Sequence, residues 1–372
     1  MQSNKVSNTR TRIPAQRLFF PAAALYAAIL LPLSMANLLG IWTWPEGLYA
    51  GHGREMLFGF VLALVAGYLL GPQPRVYIYT IFTLWLSARL AALLVPESLA
   101  AGILELAFLL TVIWIVIPRL LAAKKWRNRS IAPLVFVLFL LPVGYQFLMG
   151  LEWLEPGSVL LFGIILLSLL MLFMGGRIIA AAAAGEIQRR GGHLVARVQP
   201  PLEAALIVLV IPAAVISLIP GWRILTGSVL LLVGLVAGVR MTRWRLWKCR
   251  RADLLALAVG YFWLVAGLFT LGLALITGSG YSGVLHMITI GALGTLSITI
   301  AARVHLVNLK RADTVGYFFI ITTLLITVAT LLRLVSVYVP DYAIASLWVA
   351  TAAWSLSYLL LLAVLIGILS PN

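Results

Sequence analysis

The stretch GHGREMLFGFVLALVAGYLL, residues 51 to 70, sets His52, Arg54 and Glu55 at the edge of fifteen residues without a charge. Twenty residues of α-helix rise about 30 Å, the thickness of a bilayer's hydrocarbon core. A barrel strand would be half as long and would alternate polar with apolar. The stretch therefore predicts a membrane-spanning helix that carries its ionisable groups at one lip.

Working outward, the same kind of segment recurs along the chain. Its 372 residues are 63% hydrophobic and 10% charged, with a mean hydropathy of +1.07, far from the composition of soluble domains. Breaks at charges, prolines and glycines divide it into about twelve spans: 18–39, 52–70, 76–95, 98–119, 131–150, 157–178, 201–219, 224–240, 253–277, 283–305, 313–339 and 343–368. The expectation is an all-α, polytopic transmembrane helix bundle forming one integral membrane domain over residues 1–372. Residues 18–39 are read as a retained first helix, not as a cleaved signal.

Charge sets the orientation. With a cytoplasmic N-terminus, all 27 Lys and Arg residues except Arg54, Arg89, Arg223 and Arg333 fall on the inner side. The positive-inside rule then places both termini in the cytoplasm. The net charge of +16 is thus a topology signal, not the mark of a nucleic-acid partner. Membrane lipid is the expected partner, and the inner loop RMTRWRLWKCRR, residues 240 to 251, offers it Trp244 and Trp247 among its cations. The longest inner connection, Ile179 to Pro200, contains AAAAAGEIQRRGG, which reads as a short surface helix.

A single cysteine, Cys249, rules out an intramolecular disulfide and any cysteine-held cluster. Metal chemistry then rests on His52, His193, His286 and His305. His52 and His286 share the outer side. Arg89, Glu105 and Arg333 lie roughly 9 to 11 Å below the outer surface at 1.5 Å per residue. Ionisable groups at that depth are costly unless paired or hydrated. Arg89 and Glu105 flank one tight turn, so two readings stay open: they neutralise each other, or they face a ligand. Arg333 has no partner within its own span.

His52, Glu55 and Met56 can share a helical face, with Gly59 beyond them leaving room for a flat macrocycle or for a close helix neighbour. In GSGYSGVLHMITIGALGTLSITIAARVHL, residues 278 to 306, His286 is followed by Gly291 and Gly294, with the same two uses. Both histidines are candidate ligands of a haem iron, or else interfacial hydrogen-bonding groups. His305 lies about 28 Å further along its helix, so it belongs to a separate inner site if it binds metal at all. His193 sits in a basic, Gly-rich loop and reads as solvated.

These residues carry a resemblance. GHGREMLFGFVLALVAGYLL, LELAFL (104–109), MGGRII (174–179), HMITIGALGTLSITIAARV (286–304) and LLRLV (331–335) resemble, in order, the NnrS family of bacterial membrane proteins. The resemblance implies twelve helices in the cytoplasmic membrane, haem and copper, and a role in nitric oxide stress and denitrification. It implies b-type haem held by His52 and His286, one iron bridging both being compatible with the sequence. Arg54, Arg89 or Arg333 would face the propionates and Glu55 would neighbour the ligand. An open axial position would admit nitric oxide, and a filled one would suit electron transfer with a redox partner or another respiratory subunit. The chain departs from the family at Gly51, where a tryptophan is usual, and at Arg54, where a second histidine is usual. Asn308 also replaces a histidine, Ala180 to Ala184 replace proline and polar residues, and GPQPR (71–75) shortens a loop. The exchange at Arg54 removes a ligand for the family's copper.

Other classes were weighed. A haem-copper oxidase core needs about six histidines, more than this chain has. A secondary transporter of a neutral or anionic substrate shares the span count, although GPQPR lacks the usual charged motif after span 2. A cofactor-free subunit of a respiratory assembly is the remaining alternative.

Overall fold

The computed structural model describes residues 12–45, 48, 52–96, 98–124, 126–149, 154, 156–309 and 316–369. It is a helical protein with one two-stranded ladder, in which Arg12–Pro14 pairs antiparallel with Pro72–Pro74. The GPQPR loop is thus a strand partner for the segment before the first long helix. Among the described residues, ten helices are long and apolar enough to cross a membrane. The expected spans at 52–70 and 131–150 are helical as well, but the first changes its winding part-way and the second is the shorter apolar helix Ile131–Met149.

Chain contacts form two compact units, Met1–Gly150 with Leu361–Ile366, and Leu151–Leu360 with Gly367–Asn372. In the first unit, helices Gln16–Leu38, Arg75–Leu94 and Leu99–Leu121 surround the segment His52–Leu69. Ser98 caps Leu99–Leu121 by accepting from Ala101 N–H at 3.2 Å. That helix buries Ala101, Glu105, Phe108, Val112 and Val116 at three- and four-residue spacing. Its opposite face carries Ile103, Leu110 and Trp114, all exposed. A helix apolar on both faces is suited to lipid on the uncovered side. Phe19 anchors the core, packing edge-on to Phe82 and Trp85 and stacking on Phe108. Arg119 donates to the Leu70 carbonyl at 2.7 Å, at the C-terminal end of Leu62–Leu69 where a cation is favoured.

In the second unit, helices Arg223–Arg243 and Ala252–Thr277 approach along a seam of small residues. A Cβ added at Gly272 would stand 2.6 Å from the Leu231 nitrogen, and one at Gly234 would stand 2.9 Å from the Phe269 nitrogen. Backbones this close permit the dispersion contacts that drive helix association in lipid.

Two expectations are corrected here. The segment AAAAAGEIQRRGG is no separate surface helix. Pro156–Arg189 runs unbroken for 34 residues, about 50 Å. The alanine run has the highest helix propensity of any residue type, so nothing stops the helix before Gly191, whose φ is +77°. The connection that follows is correspondingly short. Trp244 is also no interfacial residue: it is fully buried, edge-on to Tyr261 at 4.9 Å. Only Trp247, exposed, remains of that expected pair.

Candidate functional site

His52 and His286 precede the same irregularity. His52 opens the short helix His52–Arg54, which passes into π-helix at Glu55–Val61. His286 closes Ser282–His286, which passes into π-helix at Met287–Ala292. Single π-helical turns within α-helices are rare and frequent at functional sites. Apolar sequence offers no periodicity break to reveal them. Within the first turn, the Gly59 carbonyl accepts from the Trp85 indole at 3.1 Å.

Around the first π-turn the unit collects four charges. Arg89 donates to Glu55 Oε2 at 2.9 Å and, through its other terminal nitrogen, to Glu105 Oε1. Tyr26 donates to Glu55 Oε2 at 2.6 Å. Arg54 stands 3.7 Å from Glu105 Oε2. Glu55, Arg89 and Glu105 are all buried, and with Arg54 the four formal charges cancel. A low dielectric strengthens such pairs, and their desolvation cost is offset only when the geometry is good. Both Nη groups of Arg89 are therefore taken by carboxylates. Arg54 keeps two buried N–H groups, at Nε and Nη2, without a hydrogen-bond acceptor. The room above Gly59 is filled by helix neighbours: a Cβ there would lie 2.8 Å from Tyr26 Cε1 and 2.9 Å from Arg89 Cδ.

In the second unit, packing of the neighbouring residues sets His286 and Arg333 at one level of their helices. A Cβ at Gly283 would meet Val337 at 3.1 Å, and one at Gly294 would meet Ile326 at 3.2 Å. Antiparallel packing with 283 level with 337 and 294 level with 326 brings 286 level with 333 or 334. His286 lies three residues past Gly283 and Arg333 four before Val337. Each is one turn further into the bundle on the faces that meet. His286 Nδ1 is 2.6 Å from the Ser282 carbonyl, which can only accept. Nδ1 therefore carries the hydrogen, and in the neutral ring the lone pair is at Nε2. Among the described residues the Arg333 guanidinium makes one hydrogen bond, to Ser336 Oγ at 2.9 Å, and no ion pair. The spaces at Gly291 and Gly294 are again occupied by protein, by Trp263 and by Trp354 with Ile326.

The family model described as NnrS protein matches residues 15–372, nearly the whole chain. The chain belongs to the NnrS family. No curated protein and no solved structure matches it.

In this NnrS chain the remaining histidines lie elsewhere. His193 is exposed, and His305 is half-buried at the far end of its helix from His286. Arg303, near His305, pairs with Asp253, which Arg251 also contacts at 3.1 Å. Among the described residues no three His, Cys, Asp or Glu side chains form a group that could hold a metal ion.

Sequence reasoning missed a second buried pair in this NnrS chain. Arg240, assigned from sequence to the inner positive charge, is 2% exposed. It lies 3.0 Å from Glu203 Oε1, donates to the Leu172 carbonyl at 2.7 Å, and stands 5.1 Å from the Trp244 ring centre. Gly176 leaves the space its guanidinium enters. The available signal was Glu203 itself, an acidic residue just inside an otherwise apolar span.

Proposed function

We propose that this NnrS-family protein binds b-type haem near the outer face of a bacterial cytoplasmic membrane and handles nitric oxide or electrons there. The setting is the nitrosative stress or denitrification that family membership suggests. The reading includes twelve crossings with both termini inside, and a redox partner or respiratory subunit as electron source.

The observation that supports it is the level match of His286 with Arg333, set by the Gly283–Val337 and Gly294–Ile326 contacts. A backbone carbonyl fixes the His286 ring with its hydrogen on Nδ1, the arrangement that orients metal-ligating histidines. Arg333, level with it and bearing no carboxylate, supplies the positive charge a propionate needs. When bound, haem iron would supply a site for nitric oxide or for one-electron exchange. Within the second unit His286 would hold it and Arg333 would orient it; within the first unit His52, at the same point of its own α-to-π junction, is a candidate ligand by itself. Arg89 and Glu55 have no part in holding it, because they neutralise each other. The filled spaces at Gly59, Gly291 and Gly294 mean that the macrocycle would not lie over those glycines. Arg54, standing where the family has a second histidine, removes a copper ligand, so haem is the metal group proposed here.

The test is a pyridine haemochrome assay and reduced-minus-oxidised spectra of purified protein from haem-replete cells. The expected result is bound haem whose Soret band shifts on adding nitric oxide. His286→Ala should abolish or shift the spectrum, and Arg333→Gln should weaken haem retention without changing the ligand. A colourless, iron-free preparation overturns the proposal.

A further inference from the structure

A cavity of about 420 Å³ opens in the second unit at the end of the bundle that charge predicts to be outer. No histidine lines it, so it is separate from the proposed haem site. Its walls come from the start of Pro156–Arg189, the end of Pro200–Ile216, the start of Arg223–Arg243 and the end of Ala252–Thr277.

The wall has two chemistries. Leu161, Ile224 and Leu275 present hydrocarbon, while Arg223 and Ser158 present N–H and O–H groups. Among the described residues Arg223 has no ion pair, and the Ser158 hydroxyl has no hydrogen bond. The guanidinium passes over Gly278, where a Cβ would lie 3.0 Å from Nη2 and φ is +77°. Ser217 and Thr226 donate to the carbonyls of Ala214 and Trp222, so they offer the cavity lone pairs only. Two long helices also begin at the cavity, adding first-turn amides and the positive end of their dipoles to the guanidinium. The site's donors are thus concentrated and its cation is unneutralised.

We infer that this cavity binds the phosphate end of an anionic phospholipid. A bare phosphate would fill a small part of the volume and leave the hydrocarbon wall uncovered. Trp222, next to Arg223, is half exposed, as tryptophans are at the headgroup level of a bilayer. A headgroup there can accept from Arg223 and Ser158 while the start of its acyl chains covers Leu161, Ile224 and Leu275.

The test uses full-length protein in neutral detergent, with phosphatidylglycerol, phosphatidylcholine and inorganic phosphate as separate probes. Native mass spectra should show phosphatidylglycerol retained by the wild type and by the exposed-charge control Arg243→Gln. Arg223→Gln should retain it about tenfold less, the loss expected for one charge-assisted hydrogen bond. Ile224→Trp, which narrows the cavity and keeps the charge, should lose it as well. Melting temperatures should rise with phosphatidylglycerol more than with phosphatidylcholine, in an Arg223-dependent way. Equal lipid retention by wild type and both variants overturns the inference. An Arg223-dependent rise with inorganic phosphate, without lipid retained, overturns the lipid in favour of free phosphate. A fall in melting temperature of Arg223→Gln that is the same with and without lipid makes Arg223 a structural group and also overturns it.

Discussion

Arg89 meets Glu55 at 2.9 Å although 34 residues separate them, and neither side chain is more than 2% exposed. Removing the arginine leaves Glu55 and Glu105 as like charges without a cation between them. Arg89→Met should therefore cost about 3–5 kcal/mol. The expected readout is a collapse in folded yield and melting temperature in detergent. Arg54→Gln should be the milder change, because its contact with Glu105 is 3.7 Å and the side chain is partly exposed. Equal melting temperatures for Arg89→Met and wild type would contradict the account.

The glycines at the π-turns make a contrasting pair with a third. Gly291→Ala places a methyl 2.7 Å from the Trp263 ring, which must shift, whereas Gly102 has open space around its Cβ position within a regular helix. Gly102→Ala should stabilise by about 0.5–1 kcal/mol through helix propensity. Gly291→Ala should destabilise by about 1–3 kcal/mol through overpacking. Thermal melts of the two variants side by side would show opposite shifts.

The Glu203 and Arg240 pair invites a double-mutant cycle. Glu203→Leu alone leaves a buried guanidinium without its carboxylate and should cost about 3–5 kcal/mol. Arg240→Met alone leaves the carboxylate, with a similar loss. The double variant should recover most of it, since replacing both partners of a buried pair by apolar groups is often close to neutral. Additive losses would show that the two side chains do not act as a pair.

Much of the architecture was legible because lipid imposes a simple rule. A span must be apolar for about 20 residues, and Pro, Gly and charge mark its ends, so each expected span falls on helix. The charge partners were not legible. Arg89 and Glu105 belong to one hairpin and were readable as a pair, but Glu55 joins them from another span, and Glu203 meets Arg240 across 37 residues. Sequence spacing says nothing about which helices pack. Arg240 shows the cost of a compositional rule: counted as one more inner cation, it is a buried partner. The same limit hid the π-turns, whose residues are as apolar as those around them. The level match of His286 with Arg333 needed the Gly283 and Gly294 contacts to fix the register.

Cys249 lies between two spans and is 3% exposed. Burial raises its thiol pKa, the Glu186 charge raises it further, and Arg190 opposes both. At pH 7 its thiolate fraction is thus lower than that of an ordinary cysteine. Alkylation by N-ethylmaleimide should be slow in the native protein, rise with pH through a range above the usual thiol one, and become fast on denaturation. Glu186→Gln should move the profile to lower pH. Rapid native alkylation at neutral pH would sink this reading.

The α-to-π junctions decide how the histidine-bearing turns are aimed. A π-turn closes its hydrogen bonds one residue later than an α-turn and so holds an extra residue in the same helix. The segment before it is thereby set at its own angle about the helix axis. In Ser282–Asn308 the π-turn packs on Trp263 at Gly291 and the helix beyond it on Trp354 at Gly294, while His286 stands just before the turn. The extra residue held at the π-turn thus sets the angle at which the imidazole stands relative to the rest of the helix. The junction separates the question of where the ring points from the question of what holds the bundle together.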